Sequence, residues 1–200
     1  LFKDIFNMFM DSRMEVEIFL HFGTMLSIIF YYRNIISDFF GNLSSSLNQQ
    51  HNMFLLIILG CIPISITGMI CKDYIASSLW SIKILPYTYF FISIILFLSK
   101  YSNNNREIGY KHACIIGIAQ ILALLPGISR SGITIGIMLI LGIKRKEAVD
   151  FSFLMAIPLI LGASIVGVDY SIFDYSANNL FLILFGMLIS FLFGLLALNV

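Results

Sequence analysis

The sequence predicts an all-α polytopic membrane protein, an inverted-repeat bundle of transmembrane helices that contains a re-entrant hairpin made of broken helices. Of its 200 residues, 59% are hydrophobic and 12% are charged, and the mean hydropathy is +0.94. A water-soluble domain of this composition would expose large apolar patches. The apolar segments approach the roughly 20 residues that a helix needs to cross a bilayer, and one of them is interrupted by Pro126 and Gly127.

Charge and cysteine content exclude two other classes of protein. The net charge is +1 and no basic stripe is present, so a nucleic-acid partner is not expected. Cys61, Cys71 and Cys114 are odd in number and lack CxxC spacing, which indicates neither a disulfide framework nor a zinc site. We interpret them as small apolar fillers.

The apolar pattern places five spans in one integral-membrane domain, residues 1–200, preceded by an amphipathic interfacial segment at residues 1–15. The spans are predicted near residues 16–32, 53–70, 82–99, 151–168 and 179–200. Pro63 is tolerated in the second span because neighbouring helices and waters can satisfy the backbone groups that it frees. Pro86 lies near the start of the third, where a missing N–H costs least. Residues 33–52 are expected to form a polar loop.

The interrupted segment, residues 113–141, is predicted to be a re-entrant hairpin of two half-helices. The loop before it is basic (Lys100, Arg106 and Lys111), and so is the run from Lys144 to Lys146 after it. If the positive-inside rule applies, both loops are cytoplasmic. The chain then enters and leaves the membrane on one side.

A weak similarity between two segments of the chain favours an inverted repeat. The segment LLIILG in the second span resembles LFLILFG in the last, and these spans are expected to point in opposite directions. The repeat predicts a second hairpin upstream of Leu1. Because the chain opens without methionine and stops at Val200 inside an apolar run, we expect it to be a fragment truncated at both ends.

The residues around the break form the candidate functional site. Pro126 disfavours helical geometry at the residue before it and Gly127 permits a reversal, so the first half-helix should end there. Ser129 or Ser131 can cap the second half-helix. The N–H groups at its start, its positive dipole end and Arg130 then face one point.

An arginine inside a membrane segment costs about 3 kcal/mol on insertion scales unless it is paired. Arg130 at a helix start therefore predicts an anion site, and phosphate is the natural occupant. Thr134, one turn later, would add a hydroxyl. The alternative is a polar hinge whose arginine snorkels to the interface, but the Pro-Gly break, the cap and the extra hydroxyls favour the anion site.

Two further features have competing interpretations. Glu17 and His21 lie one helical turn apart in the first span. They could form a buried pair that bonds to a neighbouring helix, or they could have a direct catalytic role, and the sequence does not choose between these interpretations. The basic run from Lys144 to Lys146 is interpreted as a topology signal.

Five stretches in order along the chain resemble the undecaprenyl-diphosphate phosphatase family, known for conferring bacitracin resistance. These are VEIFLHFGTMLSIIFYYR, GCIPISITGM, REIGYKHACIIGIAQ, AQILALLPGISRSGITIG and GIKRKEAVDFSFLMAIPLILGA. The resemblance implies hydrolysis of undecaprenyl diphosphate to the monophosphate at the outer face of the bacterial plasma membrane, in cell-wall (peptidoglycan) synthesis. It also implies a fold in which two re-entrant hairpins meet.

Carried onto this chain, the resemblance assigns catalytic roles to Arg130 and Ser129. It assigns diphosphate contacts to Ser131, Thr134 and Gly132. Apart from these, Glu17, His21 and Gln120 are considered as possible supporting residues. A divalent cation, Mg²⁺ or Ca²⁺, is expected to assist.

The chain departs from the family pattern in one respect. The glutamate pair, serine and histidine of the family's first hairpin would lie upstream of Leu1, and Glu17 and His21 match a later stretch. We therefore expect no metal ligands within these residues and no activity from this fragment alone. The rival prediction is a transporter or flippase of an anionic lipid or small anion, since broken helices in inverted repeats are typical of secondary transporters.

Overall fold

The computed structural model describes residues 13–41, 49–71, 82–103, 105–167 and 177–199. Within these residues the regular elements are helices, and the only bridge between extended residues is an isolated one. The α-helices are α1 (Arg13–Tyr31), α2 (Arg33–Gly41), α3 (Gln49–Ile70), α4 (Leu85–Ser99), α5 (Tyr110–Ala119), α6 (Arg130–Ile140), α7 (Arg145–Gly167) and α8 (Ala177–Asn199). Short 3-10 helices precede α4 (Ile82–Ile84) and follow α5 (Gln120–Leu124).

The helices coincide with the predicted spans except in one region. The polar loop expected at residues 33–52 is wrong in part, because Arg33–Gly41 is helical and α3 already begins at Gln49. In the sequence Ile35, Ile36 and Phe39 recur at helical spacing, which gives this polar stretch an apolar face. Residues 1–12 of the predicted interfacial segment and residues 168–176 lie outside the described residues.

Contacts divide the chain into two compact units, Leu1–Asn42 with Ala156–Val200, and Leu43–Met155. In the first unit α1 packs against α8 through small residues. Ser190 Oγ donates a hydrogen bond to the Leu20 carbonyl over 2.8 Å. A side chain at Gly23 would collide with the Met187 carbonyl. Such close approach of two helices is typical of membrane interfaces built on small residues.

The second unit is organised around α5, the break and α6. Helix α3 packs against α5, and a Cβ on Gly117 would lie only 2.8 Å from the Gly60 carbonyl oxygen. Helix α4 packs against α6. There Ile92, Ile128 and Ile133 form a buried apolar cluster.

The two ends of the α5–α6 segment are joined to each other. The Arg106 N–H donates to the Gly142 carbonyl over 2.8 Å, and the Lys144 N–H donates to the Arg106 carbonyl over 2.9 Å. Lys144 Nζ also lies 2.9 Å from a carboxylate oxygen of Glu107. The chain therefore returns after α6 to the place from which it entered α5.

The outer surface of the described helices is strongly apolar. Ile165 is 82% exposed, and Met69 and Phe90 are exposed to a similar degree. By length and composition, Met53–Ile70 and Arg145–Ile165 can each cross a membrane, and shorter apolar helices accompany them. Apolar side chains around a helix, rather than on one face of it, fit a lipid environment.

Candidate anion site at the helix break

The predicted break in the apolar segment is confirmed. The helical path ends with the 3-10 helix Gln120–Leu124, and Leu125 then adopts an extended conformation with ψ 137°. Pro126 enforces this because its ring disfavours helical geometry at the preceding residue. Gly127 has φ +90°, a conformation that other residues avoid. The chain thus turns before α6 begins.

Ser129 caps the new helix. Its Oγ accepts a hydrogen bond from the Gly132 N–H over 3.1 Å, and its carbonyl accepts the first intrahelical bond, from Ile133. Of the two predicted caps, the structure selects Ser129. The N–H groups of Arg130 and Ser131 precede that first bond, and no acceptor for them is found in the described part of the chain.

Arg130 occupies the first position of α6, where the helix dipole is positive. Its side chain is half-buried. Among the described residues no carboxylate or carbonyl accepts a hydrogen bond from its guanidinium. A half-buried cation beside unpaired N–H groups is an arrangement that attracts an anion.

The neighbouring polar residues differ in how available they are. Ser131 Oγ lies 3.4 Å from Ser129 Oγ and is half-buried. The Gly132 N–H is used by the cap, and a Cβ at this position would lie 3.1 Å from the Ser129 Cβ. Glycine therefore lets the capping side chain approach the helix closely.

Thr134 is 1% exposed and its hydroxyl is already engaged. Its Oγ1 lies 2.9 Å from the Arg130 carbonyl oxygen and 2.7 Å from Ser152 Oγ on α7. The hydroxyl ties α6 to α7.

The remaining predicted residues occupy two different places. Gln120 is fully buried in the second unit, where its side-chain amide contacts α3. Glu17 and His21 both lie on α1, in the other compact unit, one helical turn apart. His21 is exposed, and the Glu17 side chain is outside what the structure describes.

Two residues that support the site carry no signal in the sequence. Thr88 on α4 is 5% exposed, and its Oγ1 lies 2.8 Å from the Pro126 carbonyl oxygen. Ser152 makes the contact with Thr134. Hydroxyls in apolar helices commonly bond to their own backbone, as Ser99 does, so these contacts between segments could not be distinguished beforehand.

The described residues do not assemble a metal-binding cluster. Among the residues that the structure describes, no group of three or more His, Cys, Asp or Glu side chains is close enough to hold a metal ion. The site as described is built from a guanidinium, backbone N–H groups and hydroxyls.

The family model described as "Bacitracin resistance protein BacA" matches residues 1–200. The chain belongs to the BacA family. BacA proteins are membrane proteins, which agrees with the helical architecture and apolar surface described above.

Curated relatives include three proteins named undecaprenyl-diphosphatase. The one from Thermosipho melanesiensis is 33% identical over 202 residues, covering 99% of this chain and 77% of that protein. The one from Vesicomyosocius okutanii is 36% identical over 160 residues, covering 75% of this chain and 61% of that protein. The one from Idiomarina loihiensis is 33% identical over 198 residues, covering 94% of this chain and 75% of that protein.

Proposed function

We propose that the protein hydrolyses undecaprenyl diphosphate to undecaprenyl phosphate, which returns the lipid carrier to cell-wall synthesis. The observation that carries the proposal is the half-buried Arg130 guanidinium, which has no acceptor among the described residues and lies at the start of a capped helix. The names of the curated relatives supply the substrate class.

A terminal phosphate matches the donors that this site offers. Arg130 can present two parallel N–H groups to two phosphoryl oxygens. The N–H groups of Arg130 and Ser131 and the positive end of the dipole of α6 add to the attraction. The hydroxyls of Ser129 and Ser131 lie beside them. We assign all of these groups to binding of the diphosphate.

Gly132 and Thr134 were predicted to contact the diphosphate, and the proposal gives them indirect roles instead. The N–H of Gly132 is used by Ser129, and the hydroxyl of Thr134 is engaged with Arg130 and Ser152. We propose that Gly132 permits the cap and that Thr134 fixes α6 against α7, so that both place the guanidinium. Glu17 and His21 stay candidates for supporting roles.

The proposed reaction is an in-line displacement at the terminal phosphorus. Its net chemistry consumes water, breaks the bond from that phosphorus to the bridging oxygen, and yields undecaprenyl phosphate and inorganic phosphate. Negative charge spreads over the phosphoryl oxygens in the transition state. Arg130 and the N–H groups of α6 stabilise that charge because they are already oriented toward it.

We further propose that α5, the break and α6 form a re-entrant hairpin of an inverted-repeat fold in the bacterial plasma membrane, with the site toward the outer face. The hydrogen bonds between Arg106 and residues 142–144 support this, because a segment whose ends meet enters and leaves on one side. Polar backbone at such depth is tolerated where it lines a cavity. The prenyl tail would lie between helices in the bilayer.

A divalent cation, Mg²⁺ or Ca²⁺, belongs to the proposal as an expectation. The described residues do not offer a cluster of carboxylate or imidazole ligands, so no step is assigned to the cation. We expect its ligands elsewhere in the protein.

The test is phosphate release from undecaprenyl diphosphate by the purified protein, expressed from its complete gene. Arg130→Ala should reduce turnover by about a hundredfold or more, since removal of one preorganised donor commonly costs that much. Arg145→Ala, which removes an exposed arginine at the start of α7, is the matched control and should retain activity. EDTA should abolish release.

Wild-type turnover by Arg130→Ala would refute the proposal. The rival prediction, a transporter or flippase, gains no support from the relatives, which are named as diphosphatases. It would be favoured if the protein moved the lipid between leaflets without releasing phosphate.

A further inference from the structure

Gln120 is fully buried, and its side-chain amide has a fixed orientation. Its exposed fraction is 0%. Nε2 donates to the Gly60 carbonyl oxygen over 2.8 Å and lies 3.4 Å from the Met155 sulfur. Exchanging the amide oxygen and nitrogen would place two oxygens against each other at Gly60. Nε2 therefore faces α3, and Oε1 faces away from the Gly60 carbonyl.

Oε1 of Gln120 is buried without a hydrogen-bond donor among the described residues. A buried polar atom left unpaired has a free-energy cost because it loses its hydrogen bond to water, and most such atoms in folded proteins are paired. Methionine has a similar length and would fill the same space without this cost. Packing alone therefore does not explain a glutamine at this position.

A donor that has no acceptor among the described residues lies in the same compact unit. Arg130 has five N–H donors, and no hydrogen bond of its guanidinium is found among the described residues. Arg130 lies one turn before Thr134 on α6, and the Thr134 hydroxyl lies 2.7 Å from Ser152 Oγ on α7. Gln120 contacts Met155, one turn after Ser152 on α7, and Gly60 on α3. Helix α6 also packs against the 3-10 helix that begins at Gln120. The acceptor on Gln120 and the donor on Arg130 therefore lie in the same part of the second unit.

We propose that Gln120 is a positioning residue for Arg130. In the anion-bound state Oε1 accepts one guanidinium N–H, directly or through one water, and this fixes the guanidinium plane so that its other N–H groups face the diphosphate. Oε1 does not bind the anion itself, because an ionised phosphate oxygen has no proton to donate. The inference rests on the proposed function, since it assigns a partner to the arginine of that site.

If Gln120 positions Arg130, its replacement should change the affinity for an anion without lowering the thermal stability. Gln120→Met removes both the unpaired Oε1 and the bond to Gly60, so its thermal midpoint should equal or exceed that of the wild type. Its affinity for inorganic pyrophosphate should nevertheless fall about tenfold, the equivalent of one well-oriented hydrogen bond to a charged group. Ser99→Ala is the matched control, because it removes a buried hydroxyl that bonds only within α4, and its affinity should not change.

A double-mutant cycle tests whether the effect passes through Arg130. The protein is expressed from its complete gene, and pyrophosphate affinity is measured by calorimetry in detergent. In an Arg130→Lys background, Gln120→Met should change the affinity by less than about twofold, because an ammonium group has no plane to orient. If Gln120→Met does not fold, Gln120→Asn serves instead. It keeps a buried amide but withdraws the carbonyl by one methylene, and it should also lose affinity.

The outcomes distinguish this inference from the proposed function. A wild-type protein that binds no pyrophosphate refutes the anion site and the inference together. If the wild type binds and the Gln120 variant binds as tightly, the inference alone is wrong. If the Gln120 substitution weakens binding by the same factor in the wild-type background and in the Arg130→Lys background, Gln120 does not act through the guanidinium.

Discussion

Replacing Gly127 by alanine tests whether Thr88 holds the turn that leads into α6. A Cβ at Gly127 would lie 2.5 Å from Thr88 Oγ1, the atom that bonds to the Pro126 carbonyl. The substitution therefore has two costs. The φ of +90° disfavours any side chain by about 1–2 kcal/mol, and the clash displaces the hydroxyl and its hydrogen bond, which adds about 1 kcal/mol.

Thr88→Ala removes the clashing atom. Alone it should cost about 2 kcal/mol, from the lost hydrogen bond and one lost methyl group. The double variant should therefore be more stable than the sum of the single effects predicts, by about 1 kcal/mol, because only the φ cost of Gly127→Ala persists. Thr88→Ser is the control, since it keeps the hydroxyl and its hydrogen bond to Pro126 and should show no such relief.

The assay is thermal unfolding of the four proteins of each cycle in detergent. Independent sites add to within about 0.3–0.5 kcal/mol, so a larger coupling with alanine and none with serine supports the reasoning. Additive effects in the Thr88→Ala cycle would refute it, because the turn would then not depend on contact with α4.

Two further predictions concern the scaffold around the site. Gly117→Ala should destabilise the protein by about 1–3 kcal/mol, because its Cβ meets the Gly60 carbonyl oxygen at 2.8 Å. Gly162→Ala is the control, because this position has open space around it and alanine should stabilise α7 slightly. If Gly117→Ala and Gly162→Ala unfold at the same thermal midpoint, the close contact between α3 and α5 is contradicted. The hydrogen bond to Glu107 raises the pKa of Lys144 above its ordinary value of 10.5. The contribution of this ion pair to the free energy of unfolding is therefore full below pH 10.5, and it is lost as the pH rises through the folded-state pKa. Thermal midpoints at rising alkaline pH should fall more for the wild type than for Glu107→Gln, and parallel curves would argue against the ion pair.

The break and the cap were predictable because their causes are local. Pro126 acts on the residue before it, Gly127 supplies the positive φ, and a serine at the start of a helix reaches its own backbone. The position of Arg130 followed from these three residues. Sequence alone did not choose between Ser129 and Ser131, because a serine at either position can cap a helix equally well.

The supports of the site could not be predicted because they depend on which helices meet. Thr88 is one hydroxyl in an apolar helix, and only the packing of α4 places it against Pro126. Thr134 has the spacing of a ligand contact, yet Ser152 from α7 lies against its hydroxyl. The unpaired oxygen of Gln120 is likewise a property of the packing around it. Helix α2 was missed for a different reason, since its polar composition concealed an apolar face of period 3.6.

The central claim is that Arg130 and the start of α6 bind the diphosphate of a lipid. The most direct measurement is an experimental structure of the protein with a prenyl methylenebisphosphonate, which cannot be hydrolysed at the bridging position. The account predicts phosphonate oxygens within about 2.7–3.2 Å of the Arg130 guanidinium and of the backbone N–H groups of Arg130 and Ser131. A head group bound elsewhere, with Arg130 facing acyl chains, would contradict it.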